Sequence, residues 1–388
     1  MNRIFMALKK TMWYRPVNGS SISTPSMLVF PDRIEENIRR MIAIAGHAGR
    51  LRPHVKTHKI AEVIRLQLAY GINKFKCATL TELEMVAATG GKDILMAYPL
   101  LGPAIGEFFR IMEHFPETKL SVTVDSMDAI RQLGEQAMNV DKQVDVFVDI
   151  DNGMHRTGID PVGAGRLIAQ IMEDPVFGFR GLQVYDGHIR DSDPEERKTH
   201  CETDFESVGR LLAELGARGI PVEEVVCGGS PTFPIHARHT SRTLSPGTTL
   251  LWDAGYGDTL RDMDFLHAAV LAGRVISLPG DMVCLDLGHK SVASEMPHPR
   301  LKFLDRGPVV ERSHSEEHLV VSPEEPSMFS KDTPVHFRVG DLVYALPRHI
   351  CPTMALHERV YVVMEGHVTG TWEVAARTRK YLWGNDDK

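Results

Sequence analysis

Short apolar runs and stretches of helical periodicity alternate over the first two thirds of the chain. Helical spacing of apolar residues marks Arg33–Gly46, Thr81–Thr89 and Cys201–Leu215. The runs that predict strands are Ser26–Phe30, Leu51–Thr57, Lys74–Thr79, Asp93–Pro99, Leu120–Asp125, Val144–Asp151, Gly181–Gly187 and Val225–Gly228. Such alternation is typical of parallel β/α units.

These strands, counted from Ser26–Phe30, are enough to close a (β/α)8 barrel. An open, doubly wound sheet is the rival, but no G-x-G-x-x-G turn follows the first strand. We therefore predict an α/β fold with a TIM barrel over residues 24–265.

The pattern changes after residue 265, where Gly, Pro and Asp fill the gaps between strands and helical stretches cease. The later runs that predict strands are Val270–Ser277, Met282–Asp286, Glu317–Ser322, Asp341–Leu346, Val360–Glu365 and His367–Glu373. We predict a C-terminal all-β domain over residues 266–388. Residues 1–23 are expected to pack on it, with Trp13–Val17 as the pairing segment.

Composition and charge narrow the class of protein. A net charge of -7 argues against a nucleic-acid partner, which would favour a basic surface. No apolar run approaches the ~20 residues that span a bilayer, and Ile4–Leu8 is too short for a signal sequence. The five cysteines include no C-x-x-C pair, so neither a zinc ribbon nor a disulfide framework is indicated. We expect a cytoplasmic protein.

Polar residues at the C-terminal ends of the predicted strands are the candidates for an active site, because barrels place their sites there. The second strand ends at Lys56, which is either a surface lysine or an amine that burial makes more nucleophilic. After the sixth strand comes Arg156, whose guanidinium suits a ring nitrogen or an anion. Tyr185 and His188 follow the seventh strand, and His188 is either a general base or a hydrogen-bonded residue under a loop.

Two further motifs suit bound ions. Gly229 and Ser230 follow the eighth strand, where small residues with free amides make a phosphate cradle. In the predicted β domain, His349 and Cys351 lie two apart on a segment that we take as extended, so their side chains point the same way. Imidazole and thiolate suit zinc or a similar divalent metal, although two ligands alone also fit a structural role.

Together these segments resemble the D-threonine aldolase and D-serine dehydratase family, from Thr24 to Tyr381. The most specific match is Arg-Pro-His-x-Lys-Thr-His-Lys at residues 52–59. Other matching segments are Met154–Gly158, Tyr185–His188, Gly228–Ser230, Ser245–Thr248 with Asp253 and Tyr256, and Asp286–Lys290. His349-x-Cys351 matches the family's metal pair, which alanine racemases of the same fold lack.

The resemblance implies an alanine-racemase-like barrel with pyridoxal 5'-phosphate (PLP) as a Schiff base on Lys56. The residues that it places at the cofactor are Lys56, Arg156, Tyr185, Gly229, Ser230 and Tyr256. It also implies a divalent metal (Mn, Zn or Mg) on His349 and Cys351. A thiolate ligand favours zinc, whereas the aldolase resemblance favours manganese.

The implied activity is a D-threonine aldolase that cleaves D-β-hydroxy-α-amino acids to glycine and an aldehyde. The base would be His188, His58 or a metal-bound water. One alternative is a D-serine or 3-hydroxy-D-aspartate dehydratase that gives a keto acid and ammonia, and a more remote one is a PLP-binding protein without turnover. Both reactions use the same cofactor, metal and hydroxyl group, so the sequence separates them poorly. The resemblance also implies a homodimer.

Overall fold

The computed structural model describes residues 12–304, 306–307, 309–324 and 337–379. These residues form two units. The barrel unit comprises residues 38–249 with 378–379, and the β unit comprises the described residues of 12–37 and 250–377. Residues 1–11, part of the segment predicted to pack on the β domain, lie outside the described residues.

The described strands and helices are named here in chain order. The strands are β1 (Ser26–Val29), β2 (Lys74–Cys77), β3 (Asp93–Met96), β4 (Lys119–Val124), β5 (Val144–Ile150), β6 (Phe177–Val184), β7 (Glu224–Cys227), β8 (Arg242–Leu244), β9 (Ala269–Ser277), β10 (Val283–Leu285), β11 (Leu301–Phe303), β12 (Val309–His314), β13 (Leu319–Pro323), β14 (Leu342–Pro347), β15 (Arg359–Met364) and β16 (His367–Glu373). The helices are α1 (Pro31–Ala45), α2 (Ala61–Ala69), α3 (Leu80–Thr89), α4 (Pro103–His114), α5 (Met127–Asn139), α6 (Pro161–Glu173), α7 (Pro194–Ala217), α8 (Phe233–His236), α9 (Ala254–Thr259) and α10 (Ile350–Ala355).

The sheet of the barrel unit runs from β2 to β8 in chain order, and the pairing of these strands is parallel. Side chains on its inner face, such as Leu95, Phe147 and Val226, form a buried cluster. The predicted β/α barrel followed by a mainly β unit is thus confirmed. The short strand β8 had no counterpart in the sequence prediction, because three residues carry too little periodicity to recognise.

The segment Leu51–Thr57, predicted as a regular strand, closes the barrel in an irregular form. Leu51 bridges Leu244 of β8, and His54 bridges Lys76 of β2, both in parallel orientation. Pro53 has no N–H group, so it cannot donate to a sheet, but its carbonyl accepts from the Lys76 N–H at 2.9 Å. The chain then turns into a 3-10 helix at Val55–Thr57, where Lys56 lies.

Buried charges tie this segment to the N-terminal ends of the barrel strands. The Arg52 side chain is fully buried, and its guanidinium pairs with Asp93 at 2.9 Å and with Glu224 at 2.6 Å. Arg180 adds a second guanidinium, 3.1 Å from Asp93. Burial raises the pKa values of Asp93 and Glu224, but the adjacent Arg52 outweighs it and both pKa values lie below their usual range.

Helix α7 is fixed at its start by its own sequence. Asp193 is the N-cap, and its carboxylate accepts from the N–H groups of Glu195 and Glu196 at 2.9 and 3.0 Å. Pro194 occupies the first helical position, where its missing N–H costs nothing. The cap and the proline fix the residue at which the helix begins. Residues four apart on it, such as His200 and Asp204, lie on the same face.

The sheet of the β unit is mostly antiparallel and follows the order β12-β13-β10-β9-β1-β15-β16, with β14 paired to β9 and β11. Its core includes Leu28, Val270, Ala272 and Tyr344. Strand β1 pairs antiparallel with β9 and parallel with β15, so the prediction that Ser26–Phe30 is the first barrel strand was wrong. A strand with an apolar sequence and burial on both faces fits either sheet, and the sequence pattern does not record its neighbours.

Other predictions for the β unit had mixed outcomes. Near Trp13–Val17, one backbone hydrogen bond runs from the Val17 N–H to the Gly366 carbonyl at 2.8 Å, and the packing of residues 1–23 on the β domain stays a prediction. Strands β11 and β12 were missed. The segment that carries Cys351 was predicted to be extended, but it forms helix α10 with His349 at the N-cap. Pro352 in its first turn fits a helix start, since a proline is tolerated there.

We expect Arg52→Ala to lower the free energy of unfolding by about 3–5 kcal/mol, because Asp93 and Glu224 lose the buried guanidinium that they share and keep only Arg180 and Lys74 as partners. Chemical denaturation followed by circular dichroism measures this. The depressed pKa values of Asp93 and Glu224 give the wild type stability that is present at neutral pH and is lost as the pH falls through those pKa values. That acid dependence should shrink in Arg52→Ala. The control Arg131→Ala removes only exposed ion pairs and should change stability little.

Candidate functional site

A pocket lies at the C-terminal ends of the barrel strands, where this architecture places active sites. Its lining comes from the irregular segment, from β2, from the residue after β3, from the end of β5 and its following loop, and from the end of β6. The residues that line it are His54, Lys56, Lys76, Ala97, Asp149, Ile150, Asp151, Met154, Arg156, Thr157, Gln183 and Tyr185. Three predicted cofactor residues, Lys56, Arg156 and Tyr185, are thus brought together.

The Tyr185 ring is the common neighbour of three cationic side chains. The Lys56 amine lies 5.3 Å from the ring centroid, the Lys76 amine 5.5 Å and the Arg156 guanidinium carbon 5.0 Å. A Cβ atom on Gly187 would lie 2.4 Å from the tyrosine ring, so a glycine is required for the ring to fold back over the chain. The ring is therefore held in place between backbone and cations.

Lys76 was predicted only as part of a strand, although it is as central to the pocket as Lys56. Burial, followed by the charge of Lys56, lowers the pKa of Lys76 to about 7. In the described part of the chain, no carboxylate forms an ion pair with Lys56 or Lys76. A signal was available in the sequence, because Lys76 lies between two apolar residues in a short strand with inward-facing positions.

Asp149 is a second residue that gained importance only in the structure. It is nearly buried at the end of β5, and the Thr157 hydroxyl donates to its Oδ2 at 2.9 Å. Burial is the main cause that raises its pKa to about 6, against the hydrogen bond from Thr157. A carboxyl group with a pKa this close to neutrality can carry a proton in either direction.

The pocket as described has an excess of positive charge. Two amines and a guanidinium face it, against two carboxylates: Asp149, whose pKa is raised to about 6, and Asp151, which accepts from the N–H groups of Gly153 and His155 at 3.0 and 2.9 Å. The Lys76 amine is buried, and a cation withdrawn from water without a counter-ion is costly unless an anion binds or a proton leaves. The pocket is therefore suited to an anionic ligand that carries a group reactive towards an amine.

The predicted histidines lie outside the described lining of this pocket. His58 is buried, its Nδ1 accepts from the Ile60 N–H at 3.1 Å, and burial lowers its pKa to about 3. His188 Nε2 lies 2.7 Å from Asp204 of α7. His54, which was not singled out from the sequence, does line the pocket, and its Nδ1 accepts from the Lys56 N–H at 3.3 Å. Burial and then the charge of Lys56 hold the pKa of His54 well below its usual value.

The predicted phosphate cradle is built into the turn after β7. The Gly229 N–H donates to Asp186 at 3.2 Å and to Thr232 at 3.1 Å. The Ser230 hydroxyl oxygen accepts from the N–H groups of Gly247 and Thr248 at 3.3 and 3.0 Å. These bonds fix the turn, and the role of Gly229 and Ser230 towards a phosphate stays a prediction.

The remaining predicted residues belong to the β unit. Tyr256 lies in α9, and its N–H donates to Asp253 at 2.9 Å. His349 Nδ1 lies 2.7 Å from Glu295, and the other carboxylate oxygen of Asp253 accepts from the Ile350 N–H. Burial lowers the pKa of His349, but Cys351 and then Glu295 outweigh it and raise this pKa to about 9. The predicted metal pair therefore interacts directly, and Glu295 adds a carboxylate that the sequence did not reveal.

Comparison with known proteins bears on both units. The family model of the alanine racemase N-terminal domain matches residues 29–254, and that of the putative serine dehydratase domain matches residues 268–363. A D-threonine aldolase of Arthrobacter sp is 30% identical over 92% of this chain and 93% of its own. A 3-hydroxy-D-aspartate aldolase of Paracoccus denitrificans (strain Pd 1222) is 29% identical over 94% and 95%.

Solved structures agree with these matches. The D-threonine aldolase from Filomicrobium marinum superposes with a TM-score of 0.83 at 27% identity, and 94% of this chain and 97% of that chain are covered. The D-threo-3-hydroxyaspartate dehydratase from Delftia sp. HT23 has a TM-score of 0.77 at 22% identity, with 94% and 99% covered, which shows a shared fold.

The fold and the lysine-lined pocket define an enzyme of the alanine-racemase-like class, a class that depends on PLP. Within this class the chain belongs to the family of D-threonine aldolases and D-serine dehydratases, whose named relatives are lyases. Among the described residues, no helix is both long and apolar enough to cross a membrane.

We expect Lys76→Met to weaken anion binding in the pocket. Loss of one charged hydrogen bond, about 1.5–3 kcal/mol, corresponds to roughly 10- to 100-fold in affinity. Pyridoxine 5'-phosphate is a suitable probe, because it cannot bond covalently to an amine, and calorimetric titration of the cofactor-free protein measures its affinity.

The difference should be largest below the pKa of Lys76, about 7, and should shrink above it as the wild-type amine loses its proton. Lys76→Arg is the matched control and should retain affinity across this pH range. Equal affinity of Lys76→Met and wild type at low pH would contradict this role.

Proposed function

We propose that this protein is a PLP- and divalent-metal-dependent lyase that cleaves D-β-hydroxy-α-amino acids to glycine and an aldehyde, as a D-threonine aldolase does. The observation that carries the proposal is the barrel pocket in which Lys56, Lys76 and Arg156 surround Tyr185. The similarity to a named D-threonine aldolase over nearly the whole chain supports it.

The residues of the pocket fit PLP. The cofactor is a polyanion with an aldehyde, and the pocket offers cations without paired carboxylates together with an amine on a short 3-10 helix. Lys56 would bond to the aldehyde and Arg156 would face the ring, while Gly229, Ser230 and Tyr256 would hold the phosphate. When bound, PLP supplies an electron sink for the bond that breaks at the substrate's α-carbon.

The chain's own side chains have separable tasks. The uncompensated charges of Lys76 and Arg156 would attract the anionic groups of the cofactor and the substrate carboxylate, and would orient the amino acid. Lys56 would exchange its place with the substrate amine. The buried walls of the pocket would keep water away from the reacting atoms.

A base must remove the hydroxyl proton when the Cα–Cβ bond breaks. The candidates from the sequence are His188 and His58, with metal-bound water as the alternative. The pKa of His58, about 3, makes its imidazole a weak acceptor at neutral pH. Asp149, with a pKa of about 6 and a place in the pocket, is a further group that can exchange a proton with the substrate.

The donor set of the β unit fits a divalent metal. An imidazole on His349, a thiolate on Cys351 and the carboxylate of Glu295 are ligand types that zinc accepts, and manganese accepts the nitrogen and oxygen donors. The ion would supply a Lewis acid for a hydroxyl oxygen. By the same family resemblance we expect a cytoplasmic homodimer.

Product analysis tests the reaction. With PLP-loaded protein, D-threonine and added Mn²⁺, we expect glycine and acetaldehyde in equal amounts by NMR, and much less of both after treatment with a chelator. A specific observation favours a dehydratase as the second candidate, since a D-threo-3-hydroxyaspartate dehydratase is 28% identical over 55% of this chain. Formation of 2-oxobutyrate and ammonia would replace the aldolase assignment by that one, and binding without turnover would indicate a carrier.

Borohydride reduction of the loaded protein tests the lysine assignment. We expect mass spectrometry to find the reduced cofactor on the peptide that contains Lys56. Lys56→Ala should lose this label and at least about 10²-fold in activity. The control Lys59→Met removes a lysine of the same motif that pairs with Glu82, and it should keep the label. A label on Lys76 would overturn the assignment.

A further inference from the structure

A second group of metal-ligating side chains lies in the barrel unit, on the face where α7 meets the chain after β6. His188, His200 and Asp204 each offer one ligand atom, and these atoms lie within 4.8 Å of one another. His188 Nε2 is 2.7 Å and His200 Nε2 is 3.5 Å from the same Asp204 oxygen. Two imidazoles thus converge on one carboxylate oxygen.

The spacing of these atoms is close to that of a coordination sphere. In a tetrahedral site with bonds near 2.1 Å, ligand atoms are separated by about 3.4 Å. The distance between His200 and Asp204 already has this value, and the distance between His188 and Asp204 would have to widen by well under 1 Å. The three side chains are partly exposed, so water can complete the sphere.

The orientation of His200 also fits a metal ligand. Its Nδ1 lies 3.0 Å from the Asp191 carboxylate, so Nδ1 donates its hydrogen there and Nε2 keeps its lone pair for an ion. Asp191 precedes the N-cap of α7, whereas His200 and Asp204 are four apart on the helix. The helix and the residues just before it thus hold the Asp191 carboxylate next to His200.

Charge is the second independent argument. Asp191 and Asp204 bring two negative charges to two imidazoles, and no lysine or arginine in the described part of the chain forms an ion pair with either carboxylate. A divalent cation would neutralise both. The other three-residue group of this kind, Asp186 with Cys201 and His236, differs here. The Arg242 guanidinium lies 2.8 Å from His236 and already supplies its positive charge.

We propose that His188, His200 and Asp204 bind a divalent transition-metal ion such as Zn²⁺, with Asp191 orienting His200. The site is separate from the pair His349 and Cys351. A Cβ atom on Gly153 would lie 3.0 Å from His188 Nε2 and 3.1 Å from Asp204, so the loop that carries Met154 and Arg156 into the pocket rests against this cluster. The ion fixes that loop and α7 together, and His188 is then a ligand instead of the general base.

The test is the metal content of the full-length protein after Zn²⁺ loading and dialysis, measured by mass spectrometry and confirmed by calorimetric titration. The variants are His200→Ala, Asp204→Asn and His349→Ala. We expect His200→Ala and Asp204→Asn each to bind one ion fewer than wild type, and the double variant His200→Ala/His349→Ala to bind fewer than either single variant. The control His155→Ala removes a histidine that also faces a carboxylate at i,i+4 spacing, and it should leave the count unchanged.

Co²⁺ loading distinguishes the sites by their ligands. We expect the cobalt bands of the proposed site to include no thiolate charge-transfer band. These bands should persist in His349→Ala and disappear in His200→Ala. An unchanged ion count and cobalt spectrum in both His200→Ala and Asp204→Asn would overturn the proposal. Asp204→Asn keeps the shape of the side chain, and matching circular dichroism spectra and melting temperatures in metal-free buffer separate lost ligands from lost folding. Because the readout is ion binding, failure of the lyase assay leaves this result unaffected.

Discussion

The buried ion pairs of Arg52 are the constraint on which the barrel site depends. One guanidinium holds the first residues of β3 and β7 through Asp93 and Glu224, at the end of the barrel away from the pocket. Lys56 lies only four positions after Arg52, so the ion pairs also fix where the Lys56 amine enters the pocket. The free-energy cost of withdrawing the Arg52 guanidinium from water is offset because two carboxylates pair with it. Removal of any of these three partners would leave a charge buried with less compensation.

The opposite end of the same barrel has the opposite electrostatic character. There the amines of Lys56 and Lys76 share the face of Tyr185, and among the described residues no carboxylate forms an ion pair with them. Burial, and then the charge of Lys56, lowers the pKa of Lys76 to about 7, and burial raises the pKa of Asp149 to about 6. One unit thus holds compensated charge at one end of its barrel and uncompensated charge at the other, where perturbed pKa values are typical of a functional site.

Loop geometry links the chemistry to the scaffold around it. Glycines at positions 153 and 187 leave room where a Cβ atom would meet His188 or Tyr185. Asp151 receives the N–H groups of its own loop, so the backbone that presents Arg156 is held by local hydrogen bonds. These contacts restrict the conformation of the loops around the pocket, as hydrogen bonding restricts the strands that carry them. They explain how short polar segments keep cationic groups in one place.

The sequence by itself determined the α/β class, the mainly β unit, most strands and the helices α1, α3 and α7, because hydrophobic periodicity is a local property. It also singled out Lys56, Arg156 and Tyr185, since strand ends in a barrel converge on one face. Only the tertiary structure decided that β1 belongs to the β unit, that residues 51–57 close the barrel irregularly, and that residues 350–355 are helical. It alone brought Lys76, Asp149 and Glu295 to the sites, because burial and charge proximity arise between residues far apart in the chain.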